Sequence, residues 1–362
     1  MIVYDTSGKQ YLLKETKLFG GEGKLYAIED NERLYAKIFV KEKRTIGREL
    51  KIREWEKMFE NGIVKKNFCD QIVVPQKCLY SDATEQNVRS FMGYLMEKLT
   101  NFRLLNEVYT TKDYNYMQKV WVARNLCILT NLVHSMGKNY VIGDYNSDNV
   151  ALFMSGSTAK LIDVDSVQIS SYKKNGTEIL LPTSVGLPEF LAPEIRRRLR
   201  TEKTDLENVV QSPNKPLFTK YTDYYAMAYH IFYLLMNSAP FASGVNMEEL
   251  AKHRSHTVSD VEINRLNAAE KGEFVFAKKV LFRRPQKVAA NYGILTKKLK
   301  TLFERAFIVG VEKPECRPDA VEFFDALTEY MNTLEKRERC GHFMPSYYVG
   351  GCEWCRINNI KS

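Results

Sequence analysis

The sequence predicts an α+β protein of two lobes, a small β-rich lobe followed by a larger helical one, with a short metal-binding knuckle at the C-terminus. Three observations predict it. The first hundred residues divide into short strand-like runs around glycine and polar turns. After Leu99 the apolar spacing becomes that of helices. Three of the seven cysteines crowd, beside one histidine, into the last 25 residues.

In chain order, Tyr11–Leu13 leads into a glycine cluster, then Leu25–Ile28, a polar turn at 29–32, and Leu34–Phe39. This reads as a strand meander. Residues 44–60 carry Ile46, Leu50, Ile52, Trp55 and Phe59 among helix formers, and two strand-like runs follow at 71–78 and 90–99. Together they delimit an N-lobe over residues 10–99. Met117, Val120, Leu126, Leu129 and Val133 mark a long helix over 114–137. Short apolar strands come next, then a strongly apolar and aromatic helix over 222–238 and two further helices over 292–308 and 317–335. Residues 100–335 are therefore read as a helical C-lobe and 336–362 as the knuckle.

Apolar residues make up 44% of the 362-residue chain and charged residues 27%, which is globular composition. No apolar run approaches the roughly 20 residues needed to span a bilayer, and the N-terminus lacks the pattern of a signal peptide. A cytoplasmic location and no membrane partner are expected. The net charge is 53 − 44 = +9, spread along the chain, with a cluster at Arg196, Arg197, Arg198 and Arg200. That cluster reads as a solvated helix face or as a docking site for an acidic partner. Nucleic acid is not an expected partner on charge alone. Cys69, Cys78, Cys127 and Cys316 stand isolated, as reduced thiols do.

Four short motifs carry chemistry. Gly20-Gly21-Glu22-Gly23 lies between two strands, where glycines let backbone N–H groups approach phosphates. A plain hairpin turn is the alternative. Lys37 lies in the apolar strand that follows and needs a charge partner or an exposed edge. In Gly143-Asp144-Tyr145-Asn146-Ser147-Asp148-Asn149, an aspartate precedes an asparagine by five residues. Asp163 ends an apolar strand 14 residues after Asn149, in Asp163-Val164-Asp165. Asn149 and Asp163 offer the hard oxygen ligands that Mg²⁺ takes. A proline-punctuated loop ends in Ala192-Pro193-Glu194.

In this order, the motifs resemble those of bacterial serine/threonine protein-kinase-like proteins over residues 10–335. The resemblance implies a bilobal protein-kinase fold and an ATP- and Mg²⁺-dependent kinase acting on a protein substrate. It implies that Gly20, Gly21 and Gly23 cover the ATP phosphates. Lys37 would pair with the α- and β-phosphates and with Glu49, or alternatively Glu54. Backbone groups near Glu97 and Leu99 would bind adenine. Asp144 would take the acceptor proton, and Asn149 and Asp163 would hold Mg²⁺. Asp223 would anchor the Asp144 loop, and Glu194 would pair with Arg317. The chain departs from the pattern at Leu18, at Ile142-Gly143 before Asp144, at Asn146, at Leu187 and at Asp163-Val164-Asp165. The missing arginine before Asp144 implies activity without phosphorylation near Thr183. The departure at Asn146 keeps a small-molecule acceptor open, and a partner-recruiting pseudokinase scaffold is the third alternative.

At the C-terminus, Cys340, His342, Cys352 and Cys355 offer four N/S ligands, the set of a tetrahedral structural zinc site. A segment this small would depend on metal for stability. It resembles short zinc ribbons that dock partners. His134 and His230 read as packing residues, and His253 and His256 as solvated.

Overall fold

The computed structural model describes residues 1–63, 71–153, 158–173, 175–241, 243–244, 265–276 and 284–360. Cys69, His253 and His256 lie outside the described residues. The chain divides into two compact units. The first holds residues 1–102, 160–182 and 211–216; the second holds 103–159, 183–210 and 217–362.

The first unit is a closed six-stranded barrel. Its strands are β1 (Ile2–Asp5), β2 (Gln10–Gly20), β3 (Gly23–Ile28), β4 (Asn31–Phe39), β5 (Lys77–Tyr80) and β6 (Phe91–Glu97). Their order is β1-β2-β3-β4-β6-β5, and β5 pairs back onto β1 through Tyr4↔Tyr80 and Asp5↔Leu79. All these pairings are antiparallel.

This closure corrects the expected bilobal kinase fold. The sequence reading has a linear meander starting at residue 10. The chain instead starts a strand at Ile2 that joins both edges of the sheet, which leaves no open edge to protect. Inside the barrel lie Val3, Leu13, Ile28, Ala36, Ile38, Leu79 and Leu95, all buried. They come from alternate positions on the strands, as a pleat requires. A second cluster joins Phe39, Cys78, Tyr80, Phe91 and Tyr94 to Ile52 of α1 (Ile46–Glu60). Thr45 caps α1, its side chain accepting from Arg48 N.

The second unit is mainly helical: α2 (Leu105–Thr110), α3 (Tyr116–Ser135), α4 (Pro193–Glu202), α5 (Lys220–Met236), α6 (Lys297–Glu304), α7 (Ala320–Met331) and α8 (Glu353–Ile360). Capping boxes at Asn115–Gln118, Thr219–Thr222 and Asp319–Glu322 start α3, α5 and α7. α5 is buried around nearly its whole circumference. Phe232 on it stacks edge-on with Phe274, Phe303 and Phe307 at 5.0 to 6.0 Å.

The arginines of α4 are engaged locally. Arg197 bonds Glu312 and the Val311 carbonyl, Arg198 bonds Glu202, and Arg200 bonds Glu270. The cluster reads as a face of intra-unit contacts.

His230 is fully buried on α5. Its Nε2 donates to the Tyr145 carbonyl at 2.9 Å, which leaves Nδ1 to accept from Tyr109 Oη at 2.5 Å. Both contacts want the neutral ring, and burial pushes its pKa down from 6.5 to about 4. The unfolded chain therefore takes up this proton first. Stability contributed by neutral His230 is present at pH 7, begins to fall below about pH 6.5 and keeps falling until about pH 4. Acidification from pH 7 to 5 should cost about 2 kcal/mol through this residue. Denaturant midpoints at the two pH values check it, and His230→Gln should flatten that part of the slope.

Candidate functional site

Two clusters contain the residues singled out by sequence, one in each unit, and the C-terminal ligand group forms a third.

In the first unit, Lys37 lies on β4. The strand alternation that buries Ala36 and Ile38 in the barrel turns Lys37 to the opposite face, where it too is buried. Its ammonium pairs with Asp163 and, at 2.8 Å, with Asp165 Oδ1. Tyr94 on β6 is its cross-strand partner and donates its hydroxyl to the same Asp165 oxygen at 2.7 Å. Asp163 has left-handed backbone geometry (φ 62°) and starts a short 3₁₀ turn over Val164–Ser166. Ser166 closes that turn by donating N–H (3.1 Å) and Oγ–H (2.8 Å) to the Asp163 carbonyl. The Asp163 side chain is about a third exposed at 35%, whereas that of Asp165 is 0% exposed.

Burial alone would discharge Lys37, but the charges of Asp163 and Asp165 overcome it and hold its pKa above the ordinary value. Burial and then the adjacent Asp165 charge raise the Asp163 carboxyl, against the pull of Lys37. At Asp165 burial also acts to raise the pKa, but Lys37 and Arg48 outweigh it and keep this carboxyl below its usual range.

The expected Lys37–Glu49 pair is not formed. Glu49 accepts from Tyr80 Oη at 3.0 Å and from Arg53 Nε at 3.1 Å. Glu54, the alternative, pairs with Lys57. The residue of α1 that faces the acidic pair is Arg48, whose Nη1 lies 3.6 Å from Asp165 Oδ2. Arg48 also grips Glu22 of the glycine turn with two bonds, at 2.7 and 3.0 Å. One turn on, Lys51 is buried and donates to the Pro182 carbonyl at 2.7 Å. Burial, then the nearby Arg48, pushes its pKa down to about 7.

The glycine turn joins β2 and β3, with Gly20 paired to Gly23. Gly23 is fixed by packing, since a Cβ there would strike the Ile38 carbonyl. Gly20 and Gly21 differ: a Cβ on either would meet open space. Packing therefore does not demand glycine at these two positions. Glu97 ends β6 opposite Leu34 and accepts from Lys160 at 3.2 Å, and Leu99 follows it half-buried.

In the second unit, the Asp144 loop is built from side-chain amides. Asn146 Nδ2 donates to Asp144 Oδ1 at 2.9 Å. Asn149 Nδ2 donates to Asp144 Oδ2 at 3.1 Å and to the Asp144 carbonyl at 2.9 Å. Asn146 Oδ1 in turn caps the 3₁₀ turn over Ser147–Asn149. Asp223, buried near the start of α5, accepts from Ile142 N (2.7 Å), Gly143 N (2.9 Å) and His134 Nε2 (2.8 Å). Gly143 needs its left-handed backbone (φ 73°), and a Cβ there would collide with Thr183. This accounts for the residue before Asp144: no arginine fits. Thr183 itself is fully buried. The expected Glu194–Arg317 pair is formed, with two bonds of 2.7 Å.

The third group sits on a β-hairpin and a helix start. β7 (Leu334–Lys336) pairs with β8 (Phe343–Pro345), and Cys340 and His342 lie in the connecting loop. Cys352 precedes α8 and Cys355 lies in its first turn. The ligand atoms of Cys340, His342, Cys352 and Cys355 all lie within 4.8 Å of one another, so the group could hold a metal ion such as zinc. His342 Nδ1 stands 3.4 Å from both Cys352 Sγ and Cys355 Sγ.

This group is built into the second unit. Trp354 packs against Tyr116 of α3, ring centroids 4.4 Å apart and planes tilted by 39°, and donates to the Phe343 carbonyl. Buried Glu353 accepts from Asn291 N and Tyr348 Oη, both at 3.0 Å, and Arg356 bonds the Ala289 carbonyl.

Sequence reasoning did not assign roles to Asp165, Tyr94 or Arg48. The doubled acid in Asp163-Val164-Asp165 and the pairing of β4 with β6 are the signals that point to the first two. Among the described residues no helix is long and apolar enough to cross a membrane. No family model matches the chain, and no curated protein matches it.

Proposed function

We propose that the chain is an ATP- and Mg²⁺-dependent phosphotransferase acting on serine or threonine hydroxyls of a protein, with a structural zinc ion at the Cys340–His342–Cys352–Cys355 group. The observation that carries this reading is the Lys37–Asp163–Asp165 cluster, a buried cation set against two acids on the barrel that also carries the glycine turn.

The chemistry of the donors fits the cofactor. Asp163 and Asp165 are hard oxygen donors, and Asp165 Oδ2 is a buried acceptor with no hydrogen-bond partner among the described residues. Asp163 would supply a Mg²⁺ ligand, and Lys37 would bind phosphate oxygens. The open space beside Gly20 and Gly21 suits close backbone approach to phosphate. Bound Mg-ATP supplies the phosphoryl group and neutralises its developing charge. The protein's own work is then positioning. Asp144, held by the amides of Asn146 and Asn149, orients the acceptor hydroxyl and takes its proton. For the zinc, four N/S ligands fill a tetrahedral shell and leave no open catalytic position.

Incubation with terminally labelled ATP and Mg²⁺ tests the proposal. Label should appear on this chain or on an added protein. Asp144→Ala should cut transfer at least about a hundredfold while sparing nucleotide binding, and Asp163→Ala should remove the Mg²⁺ response. The amide of Asn146 on Asp144 favours a second reading, a small-molecule acceptor, in which label reaches only metabolites. A chain that binds no nucleotide ends both readings.

A further inference from the structure

Lys37 has two carboxylate partners of different kinds. Asp163 is a third exposed and opens a turn, so it is free to engage a ligand. Asp165 is sealed: its side chain has no exposure, and one oxygen takes both the Lys37 ammonium at 2.8 Å and the Tyr94 hydroxyl at 2.7 Å. A lysine that must stay in place when Asp163 turns to a metal needs a partner that cannot leave. Asp165 meets that condition, and Glu49 does not, because it is committed to Tyr80 and Arg53.

We infer that Asp165 is the positioning residue for Lys37, with Tyr94 fixing its rotamer and Arg48 linking it to Glu22 of the glycine turn. This rests on the nucleotide-binding reading above. In this arrangement α1 meets the site with a cation. Arg48 spans from the Asp165 carboxylate to the turn, so the positions of Lys37 and of the glycine backbone are set together. Because the Glu22–Arg48 and Asp165–Lys37 links are charge-assisted hydrogen bonds and Arg48–Asp165 is an ion pair at 3.6 Å, the set should be stiffer than neutral contacts of the same number would make it.

Two readouts test this, one of them free of nucleotide. The first is acylation of Lys37 by an amine-directed ester at fixed pH, followed by peptide mass spectrometry. Lys51, buried nearby on the Pro182 carbonyl, reports any general loosening. The second is affinity for a fluorescent ATP analogue with Mg²⁺. Asp165→Asn should raise Lys37 labelling about tenfold, well beyond the change at Lys51, which also feels the Asp165 charge, and should weaken the analogue about tenfold; a lost charge-assisted bond is worth that much. Tyr94→Phe should move both in the same direction, and it carries the test if Asp165→Asn does not fold. Glu49→Gln should stay within about twofold of wild type on both. The inference is overturned if Glu49→Gln frees Lys37 as much as Asp165→Asn or Tyr94→Phe does, or if Lys37 and Lys51 label in parallel. If Asp165→Asn frees Lys37 but the wild-type chain binds no analogue, the phosphotransfer reading fails, and with it the positioning role, while the ion pair stands.

Discussion

Removing the metal from the Cys340–His342–Cys352–Cys355 group is expected to lower the stability of the whole second unit by about 4 kcal/mol, the linkage for an ion held about a thousandfold above its dissociation constant. The reason lies in what the ligand frame is attached to. Between its two ligand pairs run β8, whose Phe343 carbonyl receives the Trp354 indole, and Tyr347, whose hydroxyl donates to the Ile294 carbonyl at 2.6 Å. After Cys352 come Glu353 and Trp354, which seat the start of α8 on Asn291 and Tyr116. Tyr116 is hydrogen-bonded at 2.8 Å to Tyr330 of α7. Losing the ion lets three thiols and an imidazole that crowd within 4.8 Å of one another separate, and the Trp354 contact separates with them. Chelation should therefore lower the main thermal transition and shift tryptophan emission, and Trp354→Phe should abolish the part of the shift that comes from this residue. Cys355→Ser should reproduce the loss. Elemental analysis should find one zinc per chain. A chelated, zinc-free chain that melts at the original temperature would show the group to be an independent appendage, as the sequence alone implies.

Glu194→Ala is expected to cost about 3–5 kcal/mol, the penalty for leaving one partner of a buried ion pair alone. The Arg317 side chain has no exposure, while that of Glu194 is 27% exposed. Its guanidinium makes two bonds to Glu194, one to the Tyr221 carbonyl at 2.8 Å, and lies 5.2 Å from the Tyr225 ring. Without Glu194, a desolvated cation would keep one carbonyl and a ring face. The asymmetry is itself a prediction. Glu194→Ala combined with Arg317→Met should recover much of the loss, because an apolar chain of similar length needs no counter-charge. Urea denaturation of the single and double variants measures this. A single variant within about 1 kcal/mol of wild type, the ordinary worth of an exposed pair, would sink the argument.

Some features of this molecule are legible in the residue order because their physics is local. The hairpin at Gly20–Gly23, the capping boxes, the buried aromatic helix and the Cys-x₂-Cys pair all depend on neighbours within a few positions. The demand of Lys37 for a counter-charge is legible too, since an ammonium in an apolar strand cannot stay unpaired. Its choice of partner is not. Around α1 acids and bases are intermixed at Arg48, Glu49, Lys51, Arg53, Glu54 and Glu56, and adjacent positions point about 100° apart on a helix. A turn of one residue decides whether Arg48 or Glu49 meets the site, and only packing of Ile52 and Trp55 sets that turn.

Barrel closure is non-local in the same sense. Ile2–Asp5 is a four-residue run whose partner strand starts at Lys77, and no periodicity joins two segments so far apart. Needs for charges, caps or metal can be read along the chain, because they are properties of single residues and short spacings. Which distant group meets each need emerges on folding, because it follows from which faces are buried together.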